Sequence, residues 1–238
     1  DAFNDYASFG GMPFALFRPN DVEKMNYLTS LFSEVYLQDI VERRKIERED
    51  VLSLLFDLIC SSIGSLTNPK KIADTLRSKA HVDVSQVTIS SYIKHLEDAF
   101  LISESKRYDV KGKSYFDYPY KYYCEDIGLR NARIGFRQQE ITHIMENIIY
   151  NELVLRGFSV DIGVVFSREV NANGHSVRVP RDIDFIVTHG GKKTYIQSAY
   201  ALSTEAEKSA ELRPFLLTGD SFPKIVVIIR CTVYFYGC

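Results

Sequence analysis

The sequence predicts a mixed fold: an α+β part, helical at its start and ending in a β-hairpin, then an α/β part built on a mixed sheet. Three observations predict it. Between Val51 and Phe100 three short amphipathic patterns follow one another, then give way to aromatic-rich strand patterns around Lys111-Gly112-Lys113. From His143 onward the order reads helix, three strands, helix, strand, the order of an α/β layer. The last strand pattern, FPKIVVIIR, is apolar nearly throughout, as a strand buried on both faces must be.

Length and composition set the bounds. A chain of 238 residues can hold two domains or one large one. By pattern it divides at residues 1–50, 51–125 and 126–238. A net charge of -2 argues against bulk attraction to nucleic acid or an anionic membrane and leaves room for a local basic patch. No apolar run reaches the length of a membrane span, so no membrane partner is expected. Cys60, Cys124, Cys231 and Cys238 have no zinc spacing and read as free thiols of a reducing cytoplasm. There is no G-x-x-x-x-G-K-[ST], so this chain alone is not expected to hydrolyse ATP.

Taken in order, Gly10-Gly11 and Pro13 break the opening FNDYASFGGMPFALF into two segments. The start on Asp1, inside a helical pattern, reads as a chain whose preceding part is missing. Asp21 is the expected N-cap of a helix whose inward face carries Met25, Leu28, Phe32, Val35 and Tyr36. VERRKIERED reads as a solvated helix end and turn. Three short helices follow: one stopping at Gly64, one opening at Asn68-Pro69 and burying Ile72, Ala73 and Leu76, and one capped by Ser85 with Ile89, Ile93, Leu96 and Phe100 inward. The hairpin spans ISESKRYDV and SYFDYPYKYYCED.

Three helices and a hairpin form the pattern of a winged helix-turn-helix, whose third helix enters the DNA major groove. Its outward positions here are Gln86, Ser91, Lys94 and His95, with Lys106, Arg107, Lys111 and Lys113 on or near the wing to meet phosphates. Against that, Glu97 and Asp98 close the helix with negative charge, and no Arg lies on it to read guanine. A docking or structural role stands beside the DNA-binding one.

In the third part, Arg130, Arg133 and Arg137 recur at about one turn and read as a solvated basic face. A helix from about Gln139 to Arg156 buries Ile141, Met145, Ile148, Ile149 and Leu153 and stops at Gly157. Strand FSVDIGVVFSREV, an Asn173-Gly174 turn, strand VRVPRDIDFIVTH, a Gly190-Gly191 turn, strand KKTYIQSAYAL, helix STEAEKSAELRPFL and strand FPKIVVIIR complete it.

An acid on a helix, an acid on the second strand and a polar motif on the third is the order used by metal-dependent PD-(D/E)XK nucleases. In these, carboxylates hold a divalent metal and a Lys two residues after the last acid aligns water and stabilises charge. Glu146, eleven residues before Gly157, stands in the helical place, with Glu152 as the alternative; Asp184 stands mid-strand, and Asp182 is expected on the same face. Where acid-x-Lys belongs, the third strand has Gln197-Ser198-Ala199. Lys192 and Lys193 are too far along the strand to substitute. An ancestral site of Glu146, Asp184 and Gln197 is therefore expected to converge without a tightly bound metal, its acids met by a proton or by Arg181.

These stretches resemble the C-terminal half of bacterial and archaeal AAA-type ATPases that carry a nuclease-like domain of unknown function. The resemblance rests on FGGMP, YLQDIVERRKI, VSQVTISSYIKHLEDAFLI, RYDVKGK, KYYCEDIGLRNAR, MENIIYNELVLRG, DIDF and YIQSAYALS followed by FPKIV. It implies a lid remnant and linker helix, a winged helix-turn-helix and a restriction-endonuclease-like domain, with ATP and Mg2+ in a missing N-terminal ATPase module. The ending RCTVYFYGC departs from the family's usual tail and reads as an altered end.

The expectation is a non-catalytic regulatory or recognition half of an ATPase, partnered by that module and by duplex DNA or a protein. A metal-dependent nuclease using Glu146 and Asp184, and an interaction module without DNA binding, are the alternatives.

Overall fold

The computed structural model describes residues 2–137, 140–202, 204–228 and 234–236, apart from the side chains of Val35 and of residues 234–236. It is a mixed α and β protein with a helical N-terminal part and a mixed sheet. Two units interleave along the chain: Asp1–Glu104 with Tyr120–Ile148, and Ser105–Pro119 with Ile149–Cys238. The boundary expected near residue 125 falls inside the first unit, and most of the expected hairpin segment belongs to the second.

The first unit begins with α1 (Ala2–Phe9) and α2 (Pro13–Leu16), joined across Gly10 and Gly11. Next comes α3 (Asp21–Ser30), which runs through a π-helical stretch at Leu31–Leu37 into α4 (Gln38–Arg44). Its N-cap is Asn20, whose Oδ1 accepts from Glu23 N at 3.0 Å, and not Asp21. Leu28 and Phe32 are buried as the spacing requires; the side chain expected at Val35 lies outside the described residues.

Three helices follow: α5 (Glu49–Ser61), α6 (Pro69–Thr75) and α7 (Gln86–Asp98). Asn68 and Ser85 cap α6 and α7 by accepting from Lys71 N and Thr88 N. Ile72, Ala73, Leu76, Ile89, Ile93 and Leu96 are buried as expected. Phe100 is not: α7 has ended, Phe100 is left-handed at φ 54°, and its side chain is 79% exposed. The bond from Leu101 N to Leu96 O closes the helix around it and puts Leu101 in the core instead.

The expected hairpin is divided. β1 (Ile102–Ser105) pairs with a later strand, while β2 (Arg107–Asp109) and β3 (Ser114–Tyr115) form a short antiparallel pair of the second unit. The partner of β1 is β4 (Lys121–Cys124), followed by α8 (Ile127–Arg133). Next, α9 (Ile141–Leu155) runs from the first unit into the second; the start expected at Gln139 lies outside the described residues. Cys60 and Cys124 are buried thiols, not joined in a disulfide, with sulfurs 3.8 Å apart, and burial pushes the Cys60 thiol up; Cys231 and Cys238 lie outside the described residues.

The second unit is one sheet with α10 packed on part of one face. Its later strands are β5 (Ser159–Val170), β6 (Ser176–His189) and β7 (Lys192–Ala199), then α10 (Glu205–Leu216), β8 (Lys224–Ile228) and β9 (Tyr234–Tyr236). The strand order is β3-β2-β5-β6-β7-β8-β9, with β2–β5 and β7–β8 parallel and the rest antiparallel. Gly190 and Gly191 both take positive φ, as a tight two-residue hairpin turn demands. Thr204 and Glu207 cap α10 reciprocally. Val165, Ile183, Ile186, Tyr195, Phe215 and Val226 form the core between sheet and helix. Among the described residues no helix is long and apolar enough to cross a membrane.

Candidate functional site

The helical acid Glu146 is buried in the first unit. Its side chain and that of Lys121 on β4 are each 8% exposed, and Lys121 Nζ lies 2.7 Å from Glu146 Oε1. Tyr123 Oη, two residues along the same strand, donates to the same oxygen at 2.6 Å. Alternation along β4 puts both donors on one face, and the neighbouring Asn147 bonds the Cys124 backbone N and O. Gly64 closes over the other oxygen, where a Cβ would stand 3.0 Å from Oε2. The cation that answers Glu146 is therefore Lys121, not Arg181, which pairs with Glu169. A carboxylate already holding a lysine and a phenol proton binds a metal only by displacing them.

Asp184 and Gln197 belong to the second unit. They sit where β6 and β7 part, just beyond the last paired residues Phe185 and Ile196. Gln197 Oε1 accepts from Asp184 N at 3.2 Å, and Asp184 Oδ2 accepts from Ser198 N and Oγ at 2.9 and 2.8 Å. Side chains thus continue the ladder after the backbones diverge. A bulge adds to this: β6 takes three steps from Ile183 to Ile186 while β5 takes two from Gly163 to Asp161. Ile183 and Ile186, three apart, consequently enter the same core. The second-strand Asp182 is bound to Arg107, Nη2 to Oδ1, at 2.6 Å. Glu211 on α10 is held above the usual carboxylate range by burial, partly offset by a hydrogen bond with Gln197, with the Asp184 charge adding to the rise. Among the described residues no group of three or more His, Cys, Asp or Glu side chains is placed to hold a metal.

The expected nucleic-acid residues fall in both units. Gln86, Ser91 and Lys94 are exposed on α7, as a groove-facing helix requires. Lys94 Nζ lies 3.4 Å from Asp98 and 3.7 Å from Glu97, so its charge is offset within the helix. His95 is half-buried beside a cavity of about 380 Å³ lined also by Tyr36, Arg43, Arg44 and Phe100. Burial first, and Arg44 second, push its pKa down. In the second unit Lys106, Lys111 and Lys113 are exposed, and Asp109 Oδ1 caps their turn through Lys111 N and Gly112 N. Arg107 differs from its expected place: it is 9% exposed and turned inward to Asp182 and the Phe116 ring.

Sequence reasoning missed a knot of buried polar groups in the first unit. Asp126 caps α8 through Leu129 N and also accepts from Gly11 N, both at 2.8 Å. Burial raises its pKa above the ordinary carboxylate value. Arg130, expected on a solvated face, is 2% exposed and donates to Cys60 O and Asn131 Oδ1. Asn131 donates to Ala7 O and Ser8 O, and Arg133 pairs with Asp57. The helical spacing of these arginines gave no sign of burial, because a buried cation needs partners that are remote in sequence. FGGMP and CEDIGLRNAR are therefore two halves of one fastening.

The model of a domain of unknown function, DUF8612, matches residues 1–140, which include that whole fastening. An uncharacterized protein of Haemophilus influenzae is 32% identical over 225 residues, covering 94% of this chain and 52% of that protein. The chain thus spans about half the length of the relative it matches. No solved structure matches it. With residues 1–140 of 238 accounted for, this chain belongs to the family described as the domain of unknown function DUF8612.

Proposed function

We propose that this chain is the non-catalytic recognition part of a larger AAA-type ATPase and that it binds duplex DNA. The observation that carries the reading is the fate of the helical acid: Glu146, in the nuclease-like position, is engaged by Lys121 and Tyr123. Asp184 is likewise engaged with Ser198, and no step through a metal follows from either. The order α5, α6, α7, β1, β4 in the first unit supports a winged helix-turn-helix, with Gln86 and Ser91 outward to meet base edges. As a separate patch, within the second unit, Lys106, Lys111 and Lys113 offer exposed charge to phosphates. The matched relative is about twice as long as the matched segment, which leaves room for an ATPase module holding ATP and Mg2+.

Fluorescence anisotropy with duplex DNA, together with a Mn2+ cleavage assay, tests the reading. Salt-sensitive binding without cleavage is expected. Absence of binding, or binding indifferent to salt, overturns the DNA part. Metal-dependent cleavage that disappears in Asp184→Ala restores the nuclease. A second reading, a protein-docking module, is favoured by the 72% and 79% exposure of Val87 and Phe100 and by the offset charge of Lys94. A protein partner captured by a chain without DNA affinity decides for it.

A further inference from the structure

The hairpin of β5 and β6 outruns the sheet that carries it. Pairing of β2 with β5 ends at Asp109↔Val164, and β6 joins β7 only at Phe185. Val165–Val170 and Ser176–Arg181 therefore continue as a two-stranded ribbon, roughly 17 Å long at the usual rise per residue. Its loop is fixed: Asn171 Oδ1 accepts from Asn173 N and His175 N at 3.0 and 2.9 Å, and Gly174 takes a left-handed φ of 76°.

The two faces of the ribbon differ. One turns to α10: Val165 enters the core, and Glu169 accepts from Ser167, Arg181 and Arg213. The other carries the cross-strand pairs Phe166↔Pro180, Arg168↔Arg178 and Val170↔Ser176. Arg168, Val170, Ser176, Arg178 and Pro180 are all exposed. Arg178 stacks 3.6 Å over the Phe166 ring and reaches Asp109 only at 3.8 Å, while Arg168 makes no ion pair among the described residues.

Like charges directly opposite on a ribbon repel. Charges on an exposed edge do discourage pairing with stray strands, but one acid opposite one base serves that end without repulsion. Two facing arginines instead leave an excess of positive charge on the ribbon, offset in part by Asp109 beside Arg178, with Val170 and Pro180 exposed next to it. A two-stranded ribbon fits the major groove of B-form DNA, whereas the major groove of A-form RNA is too narrow for it.

We propose that the β5–β6 ribbon is an arm that enters the major groove of duplex DNA, with Arg168 and Arg178 taking phosphates on its walls. The inference rests on the DNA-binding reading and assigns it a second element. Anisotropy titrations of the full chain against a duplex over a range of salt test it. Each lost phosphate contact flattens the slope of log K against log salt by about 0.9. Arg168→Glu/Arg178→Glu is expected to remove about two contacts and Arg168→Ala about one, while Arg168→Lys/Arg178→Lys keeps the wild-type slope. An RNA duplex of equal length is expected to bind at least about tenfold more weakly, since its groove excludes the arm.

An unchanged slope in the Glu and Ala variants, with a flattened one in Lys111→Glu/Lys113→Glu, overturns the arm and leaves the DNA reading standing. No DNA binding by the wild type overturns both. Unchanged melting temperatures separate lost contact from lost fold; should the double Glu variant not fold, Arg168→Ala and the Lys pair decide.

Discussion

Gly10 and Asp126 meet so closely that a Cβ on Gly10 would stand 2.3 Å from Asp126 Oδ1 and 2.5 Å from Gly128 N. Gly10 is also left-handed, at φ 70°. Gly10→Ala therefore adds a clash in a buried contact to the cost of the left-handed residue and is expected to lose at least about 2 kcal/mol in denaturant unfolding. Gly157→Ala is the comparison: φ is 80°, but nothing lies within 4 Å of its Cβ. Its loss is expected near the left-handed term alone, about 1 kcal/mol. Equal losses at the two positions refute the close fit.

Lys121 and Glu146 are a buried pair with a phenol as third member. Removing one charge leaves the other stranded, so Lys121→Ala is expected to cost about 3–5 kcal/mol. Lys121→Met with Glu146→Gln replaces the ions by neutral groups and keeps an acceptor for Tyr123, and it is expected to recover most of that loss. A double-mutant cycle in urea reads the coupling; additive losses count against the pair.

Phe100 holds a left-handed position with its ring in solvent. Phe100→Gly relieves the strained φ and gives up little burial, so a gain of about 0.5–1 kcal/mol is expected. A lower melting temperature would mean that the ring contributes to the fold from outside.

Glu211 holds its proton more tightly folded than unfolded, chiefly because burial disfavours its charge. With the folded pKa above the unfolded one, the native state binds more protons between the two values, and stability falls as pH rises through that window. Glu211→Gln removes the penalty. It is expected to raise stability at pH 7 and to leave it unchanged below the ordinary carboxylate pKa. An equal effect at pH 3 and pH 7 contradicts this assignment.

Local signals were read well where a neighbour in sequence decides the structure. Asn68 and Ser85 cap the helices they precede, Gly190-Gly191 makes the turn, and Ile89, Ile93 and Leu96 are buried. Reading failed where a remote partner decides. Arg130 is buried because Cys60 O and Asn131 receive its protons, and Arg107 because Asp182 waits on β6. The third-strand Gln197 was legible as a departure from acid-x-Lys. Its use as a stand-in for a backbone acceptor was not, since the end of β6–β7 pairing at Phe185 and Ile196 leaves no mark in composition.

The interleaving of the two units bears on the order in which the chain can mature as it leaves the ribosome. The first unit requires Asn147 to seal β4 and Lys121 to meet Glu146, yet the fifteen residues 105–119 that serve the second unit emerge before either bond can form. Those residues must wait, with β2 and β3 unpartnered by the sheet, until β5 arrives. Synthesis stalled once residues through Leu155 have cleared the ribosome is therefore expected to yield a protease-resistant first unit with a cleavable 105–119 segment, and release to full length is expected to protect that segment. Protection already complete at Leu155 would show that the segment finds its place without its sheet.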